Sequence, residues 1–150
     1  MKQAAITGHT SGLGASFYRL LGEHGYTVRG FSRSNGYDLR DYSQVSRMLD
    51  EVKGFDLFVN NAKPDYAQAQ IVYRLVRAQT VKTVLSIVSL AAVDPPAWTD
   101  TFLLEYLTQK AALIHAHQVL EPVATCRMMI RHPHHLDDTD AYVKELIKEL

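Results

Sequence analysis

Three glycines near the N-terminus constrain the fold of this chain more than any other feature. The segment Gln3–Thr7 has the apolar pattern of a short buried strand and runs directly into Gly8, Gly12 and Gly14. An apolar-periodic segment follows and ends at Gly25, as expected of a helix. Glycines between a strand and a helix permit a sharp turn, and the helix N-terminus offers amide donors to a phosphate. This pattern predicts the entry to a dinucleotide-binding fold; an ordinary glycine-rich turn is the alternative.

Strand and helix patterns alternate along the rest of the chain, without a linker or an internal repeat. After the first strand and helix, strands are predicted at Tyr26–Arg33, Phe55–Asn60, Thr83–Ser89 and Cys126–Arg131, and helices near Tyr42–Val52, Tyr66–Gln79, Thr101–Leu120 and Thr139–Leu150. This alternation indicates a parallel sheet with helices on both faces. We therefore expect one Rossmann-type, doubly wound α/β domain over residues 1–150, with about six strands in the order 3-2-1-4-5-6.

The composition is that of a soluble domain without nucleic-acid or membrane partners. The sequence has 150 residues, 47% of them hydrophobic, and its 16 Lys and Arg balance its 16 Asp and Glu. It has no basic stripe of the kind that binds nucleic acid. No apolar run approaches the roughly 20 residues of a membrane span, and the N-terminus has no signal-peptide pattern. We expect a cytoplasmic protein.

A tyrosine and a lysine four residues apart, Tyr106 and Lys110, form a candidate acid–base pair in the helix near Thr101–Leu120. Residues at i and i+4 share one helix face, so the phenol and the ammonium can act on one substrate. A free tyrosine titrates near ~10, and a nearby cation is expected to lower that pKa towards neutrality. The spacing occurs often by chance, so its weight depends on the motifs around it.

The end of the second strand, residues 30–34, contains no acidic residue. An Asp or Glu there would bind a ribose 2′-hydroxyl and repel a 2′-phosphate. Arg33 instead offers a planar fork for a phosphate, and Ser32 is an additional donor. The pattern favours NADP(H), with NAD(H) possible; the alternative is that Arg33 is a solvated loop arginine.

Together these motifs resemble the short-chain dehydrogenase/reductase family over residues 3 to about 133. The family's glycine-rich turn, its adenine-contacting Asp-aliphatic pair and its Asn-Asn-Ala-Gly segment are similar to Thr7, Gly8, Gly12 and Gly14, to Asp38-Leu39, and to Asn60-Asn61-Ala62-Lys63. Its Tyr-x-x-x-Lys motif is matched by Tyr106 and Lys110, and its catalytic serine resembles Ser89. Ser86 competes for that role, but it lies on the opposite face of the strand.

The resemblance implies an NAD(P)-dependent carbonyl reductase or alcohol dehydrogenase. Tyr106 would donate a proton to a small carbonyl substrate, Ser89 would hold the carbonyl oxygen, and Lys110 would also bind the nicotinamide ribose. The dinucleotide is expected to contact Gly8, Thr10, Ser11, Gly12, Leu13, Gly14, Ser32, Arg33, Asp38, Leu39, Asn60, Asn61, Ala62, Tyr106 and Lys110. No metal is expected, because the seven histidines do not form a set with tetrahedral ligand spacing.

The sequence also departs from the family. The stretch between Asn61 and Ser89 is short, and the sequence contains no asparagine after Asn61 that could complete the family's catalytic tetrad. Asp65, Tyr66 or Gln68 would have to replace it. We therefore expect an unusually short member.

Two further departures concern the substrate side and the nucleotide side. The family's substrate-covering loop and seventh strand have no counterpart after Pro133, where one helix follows. Lys63 stands where the family has glycine, which places a side chain near the expected adenosine ribose.

Two other functions and an assembly remain open. The missing asparagine and loop suggest a dinucleotide-binding sensor or interaction module with little catalysis, and Tyr-x-x-x-Lys also occurs in nucleotide-sugar epimerases and dehydratases. The helices near Tyr66–Gln79 and Thr101–Leu120 carry more apolar residues than one sheet face needs, so we expect a homotetramer, or a dimer.

Overall fold

Five parallel strands form one sheet in this computed structural model, which describes residues 1–88, 101–133 and 137–150. The strands are β1 (Lys2–Thr7), β2 (Tyr26–Phe31), β3 (Leu57–Asn60), β4 (Thr83–Ile87) and β5 (Arg127–Arg131), in the order β2-β1-β3-β4-β5. All four residues of β3 are buried, as expected when helices cover both faces of a sheet.

The helices lie in two layers, one on each face. Helices α1 (Gly12–Glu23) and α5 (Thr139–Ile147) pack on one face of the sheet, where they share one apolar core. Helices α2 (Tyr42–Glu51), α3 (Ala67–Arg77) and α4 (Thr101–Leu120) cover the other face with a second core. Successive strand residues alternate between the two cores because side chains on a strand alternate in direction.

This architecture confirms the predicted doubly wound parallel sheet, with five strands in the described residues where about six were expected. The observed order is the predicted one without predicted strand 3, which would have lain outside β2. The reason lies after β2, where a 3₁₀ turn at Arg33–Asn35 leads through Asp38 and Leu39 directly into α2. No crossover helix and strand fit in that short connection. The Ser32 amide donates to Asn35 Oδ1 at 2.8 Å, so the turn ends β2 at Phe31 and not at Arg33 as predicted.

The register brings the carboxyl ends of the strands to one edge of the sheet. Thr7 at the end of β1 lies beside Phe31 of β2, and Asn60 of β3 lies beside Ser86 of β4. The segments that follow β1, β2 and β3 therefore meet at this edge, where ligands of open α/β sheets bind. Among the described residues, no helix is long and apolar enough to cross a membrane.

Candidate active site

Hydrogen bonds join the glycine-rich turn to the segment after β3. The Thr7 hydroxyl accepts from the backbone N–H groups of Asn61 and Ala62, both at 3.1 Å. The side-chain amide of Asn61 in return donates from Nδ2 to the main-chain carbonyls of Thr7 at 3.2 Å and of Gly8 at 3.4 Å. Thr7 and Asn61, which the sequence assigned to two separate motifs, thus hold the two loops together.

The close approach of the turn to α1 requires two of its glycines. A Cβ at Gly14 would lie 1.9 Å from the Gly8 carbonyl oxygen, and Gly8 itself has a φ of +72°. Gly12, Leu13 and Gly14 form the first turn of α1 after the N-cap Ser11, so their N–H groups have no helical partner. Such amides, with the dipole of a twelve-residue helix behind them, suit a phosphate.

A cleft of about 520 Å³ opens at the ends of β1, β2 and β3. Of the predicted dinucleotide contacts it is lined by Gly8, Thr10, Ser32, Arg33, Asp38, Leu39 and Ala62, and it also includes Phe31, Ser34, Tyr37, Arg40, Lys63 and Pro64. Residues from four separate sequence segments thus share one cavity. Its volume is in the usual range for small-molecule sites.

Charge in this cleft is mainly positive. Arg33 lies beside Ser32 and Ser34, whose hydroxyl oxygens are 2.6 Å apart. The predicted adenine contact, Asp38, pairs with Arg40, with Nε and Oδ1 3.2 Å apart. The hydrogen bonds from Arg40 hold the pKa of the Asp38 carboxyl below its usual value. Arg40 is thus a cleft residue that the sequence motifs did not indicate. The sequence signal for it was a basic residue two positions after Asp38, close enough to pair with that carboxylate.

Lys110 lies buried at the next part of the same edge. Only 3% of its surface is exposed, and its Nζ donates to Gln68 Oε1 at 2.6 Å and to the Ile87 carbonyl at 2.8 Å. Burial lowers the pKa of Lys110 to about 7, and the nearby ammonium of Lys63 adds to this effect. The lysine can therefore change its charge near neutral pH.

Tyr106 is half-buried, with two lysine side chains close to its ring. Lys63 Nζ lies 4.9 Å and Lys110 Nζ 5.7 Å from the centroid of its ring. Burial raises the pKa of Tyr106, which is opposite to the lowering expected from the sequence. The cause is desolvation, because the half-buried phenol is less stable as a charged phenolate there than in water.

The other candidate serine, Ser86, is part of the core. It is fully buried, and its hydroxyl lies 2.7 Å from His117 Nε2 and 3.3 Å from Asn60 Nδ2. Ser86 therefore has no access to a substrate. The preferred catalytic serine, Ser89, lies outside the described residues.

Asn60, a predicted dinucleotide contact, is also buried, and its side-chain amide donates to the Gln68 carbonyl at 3.0 Å. Among the three residues considered as substitutes for the missing asparagine, Asp65 and Tyr66 are exposed and Gln68 is 4% exposed. Gln68 alone of these three contacts Lys110. The sequence signal for Gln68 is its position: it is a polar residue on the face of α3 that is otherwise apolar and buried.

The histidines within the described ranges do not gather. No group of three or more His, Cys, Asp or Glu side chains in residues 1–88, 101–133 and 137–150 could hold a metal ion. On α4, His117 is buried against Ser86 while His115 is exposed, as their spacing predicts. His134 and His135 lie outside the described residues.

Solved structures of dehydrogenases share this fold, although no protein-family model and no curated protein matches the sequence. A small-chain dehydrogenase superposes with a TM-score of 0.79 and 17% identity, over 98% of this chain and 90% of the other. An alcohol dehydrogenase from the archaeon Thermococcus sibiricus, complexed with 5-hydroxy-NADP, has a TM-score of 0.79 and 16% identity over 100% and 91% of the two chains. A metagenomic short-chain oxidoreductase in complex with NADP has a TM-score of 0.76 and 18% identity over 99% and 90%. The chain thus has the fold of the short-chain dehydrogenases/reductases.

Proposed function

We propose that the protein is an NADP(H)-dependent oxidoreductase that interconverts small carbonyl compounds and alcohols. The observation that carries this proposal is the pairing of Tyr106 with the buried Lys110 at the sheet edge that also forms the nucleotide-sized cleft. The glycine-rich turn fits a dinucleotide, because a Cβ at Gly14 would fill the space that lets the turn approach α1.

In this proposal each residue has a defined task. A bound nicotinamide supplies or accepts the hydride. Tyr106 donates its phenolic proton to the carbonyl oxygen, where negative charge develops during reduction, and Ser89 holds that oxygen. Lys110, placed over the tyrosine ring, stabilises the phenolate that remains. The first-turn amides of α1 bind the diphosphate, and Arg33 binds the 2′-phosphate.

NADP(H) is the proposed cofactor because of the charge of the cleft. Arg33 and Arg40 both line it, and Asp38, the carboxylate among its described lining residues, is already paired with Arg40. Two of the structural neighbours described above are complexed with NADP or 5-hydroxy-NADP. NAD(H) has no 2′-phosphate, so Arg33 would not add to its binding affinity.

The test is the oxidation of NADPH and NADH in the presence of a panel of small aliphatic, cyclic and aromatic aldehydes and ketones. We expect the wild type to reduce members of the panel with NADPH. Tyr106→Phe should bind NADPH normally and lose about 100-fold or more in kcat, because only the proton donor is removed. Tyr42→Phe, at a position of α2 that is 76% exposed, is the matched control. A Tyr106→Phe variant with the wild-type rate would rule out the assignment.

A second candidate is a dinucleotide-binding sensor with little catalysis. It is favoured by the raised pKa of Tyr106, since a phenol with that pKa gives up its proton less readily. Tight NADPH binding without turnover of any panel member, in the wild type and in Tyr106→Phe alike, would support this candidate over the enzyme.

We also propose a homotetramer, with a dimer as the smaller alternative. The apolar residues that suggested this are mostly buried within one chain: Ile71, Val72, Leu75, Val76, Leu107, Leu113 and Ile114. Other large side chains of α3 and α4 stay outside the core and are available for an interface. Tyr73, Phe102 and Leu104 are 52%, 79% and 52% exposed. Burial of such side chains between symmetric copies would remove them from water.

A further inference from the structure

A buried glutamine holds the ammonium of Lys110 in place. Gln68 lies at the second position of α3, directly after the loop that carries Lys63, and it is 4% exposed. Its Oε1 accepts from Lys110 Nζ at 2.6 Å, the shorter of the two hydrogen bonds of that ammonium. The contact links α3 to α4 at the position where proton transfer is proposed.

Neighbouring backbone groups fix the orientation of the Gln68 amide. Its Nε2 donates to the Asn60 carbonyl at 2.7 Å and to the Ile87 carbonyl at 3.4 Å. Separately, the main-chain carbonyl of Gln68 accepts from the Asn60 side-chain amide at 3.0 Å. Rotation of the side-chain amide by half a turn would place its N–H donors against the Lys110 ammonium and its oxygen against the carbonyls of Asn60 and Ile87. Only the orientation with Oε1 towards Lys110 satisfies all these groups.

The two acceptors determine what Lys110 can do. An ammonium has three N–H donors, and Gln68 and Ile87 accept two of them. Within the described part of the chain these are its acceptors, which leaves a third donor for the phenol of Tyr106 or for a bound ribose. Gln68 is a neutral acceptor, so it orients the ammonium without adding a compensating charge. The charged group that acts on Lys110 is Lys63, which is itself a cation, and Tyr106 is the titratable group of α4 beside it.

We propose that Gln68 is a positioning residue that orients Lys110 towards Tyr106 and takes the place of the asparagine that this sequence lacks. Its catalytic consequence rests on the oxidoreductase function proposed above. The hydrogen-bonding role itself does not, and it can be measured on the protein without any substrate.

The direct test is the titration of Lys110 in protein labelled with ¹³C-lysine, with its resonance assigned by comparison with Lys110→Met. Gln68→Glu adds a negative charge beside the ammonium and should move the titration midpoint upwards by at least about one pH unit. Gln68→Met has a similar shape and no acceptor, so the ammonium loses a partner and the midpoint should move downwards. Gln70→Glu adds the same charge on the exposed side of α3 and should leave the midpoint unchanged.

Opposite movements in the two variants support the proposal, because a merely structural role of Gln68 would move both midpoints together or neither. If only one variant folds, the direction of its movement decides alone. A midpoint in Gln68→Glu equal to that in Gln70→Glu overturns the proposal.

Kinetics with NADPH and a reducible aldehyde of the panel test the catalytic consequence. Gln68→Met should lower kcat by about 10- to 100-fold, whereas Gln68→Glu keeps an acceptor and should shift the pH profile of kcat upwards. Absence of turnover in every protein, including the wild type, would reject the oxidoreductase and leave the titration result to decide the role of Gln68. An active Gln68→Met with wild-type kcat overturns the positioning role in catalysis.

Discussion

At the scale of single residues, two opposing effects act on Lys110. Burial disfavours its charge and brings its pKa to about 7, while two carbonyl oxygens accept hydrogen bonds from its ammonium and favour the charge. A lysine at this balance changes charge within the pH range in which an acid–base tyrosine has to work. Lys63, close to the same tyrosine ring, shifts the balance further towards the neutral amine.

The proposed cofactor preference is a prediction for one residue. Replacement of Arg33 by alanine should weaken NADPH binding about 10- to 150-fold, because a charge-assisted contact to the 2′-phosphate is worth about 1.5–3 kcal/mol. NADH binding should not change. Fluorescence titration of both cofactors measures this, with Arg77→Ala on the exposed face of α3 as the control. Equal affinity of the wild type for NADPH and NADH would contradict the prediction.

At the scale of elements, α4 connects the candidate active site to the core. The first half of this helix carries Tyr106 and Lys110, and His117, two turns beyond Lys110, is hydrogen-bonded to Ser86 of β4. Burial lowers the pKa of His117 to about 4, so the folded protein holds it as the neutral imidazole. The contact between α4 and β4 therefore depends on pH.

This contact predicts loss of stability in acid. The pKa of His117 is about 4 in the folded protein against 6.5 for a free histidine, so the stability that the neutral imidazole contributes is complete above about pH 6.5 and is lost as the pH falls towards 4. Between about pH 7.5 and pH 5 the expected loss is roughly 2 kcal/mol. Urea unfolding at both pH values measures it. His117→Gln should reduce this dependence and the exposed His115→Gln should not; an unchanged slope in His117→Gln would refute the explanation.

At the scale of the whole molecule, the sheet leaves strand β2 at one edge and β5 at the other in the described part of the chain. The helices of one face still expose aromatic and aliphatic side chains, of which Phe102 at the start of α4 is 79% exposed. Since α4 also carries Tyr106, a partner that covers its start would border the candidate active site.

The assembly prediction follows from this arrangement. Sedimentation velocity across a range of protein concentrations should show a homotetramer or a dimer in the wild type. Phe102→Asp should weaken the assembly and lower activity at low protein concentration, because it places a charge in a surface that is buried on association. Val123→Asp, at a site that is 73% exposed beyond α4, is the control. A wild type that stays monomeric and fully active at micromolar concentration would exclude this assembly.

Much of the fold and part of the candidate site could be predicted from the sequence because their causes are local. Glycines at positions 8, 12 and 14 act through backbone angles and close approach, and the strand and helix periods reflect which side each residue faces. Tyr106 and Lys110 lie on one helix, so their spacing brings them together without reference to the rest of the chain.

The tertiary structure decided what the local pattern leaves open. Gln68 and the Ile87 carbonyl reach Lys110 from a different helix and a strand, and only this packing determines the depth at which the ammonium is buried. The pKa of Tyr106 is raised and not lowered because packing around α4 takes the phenol partly out of water. Desolvation and hydrogen bonding depend on which distant groups meet, and spacing along the chain carries no information about that.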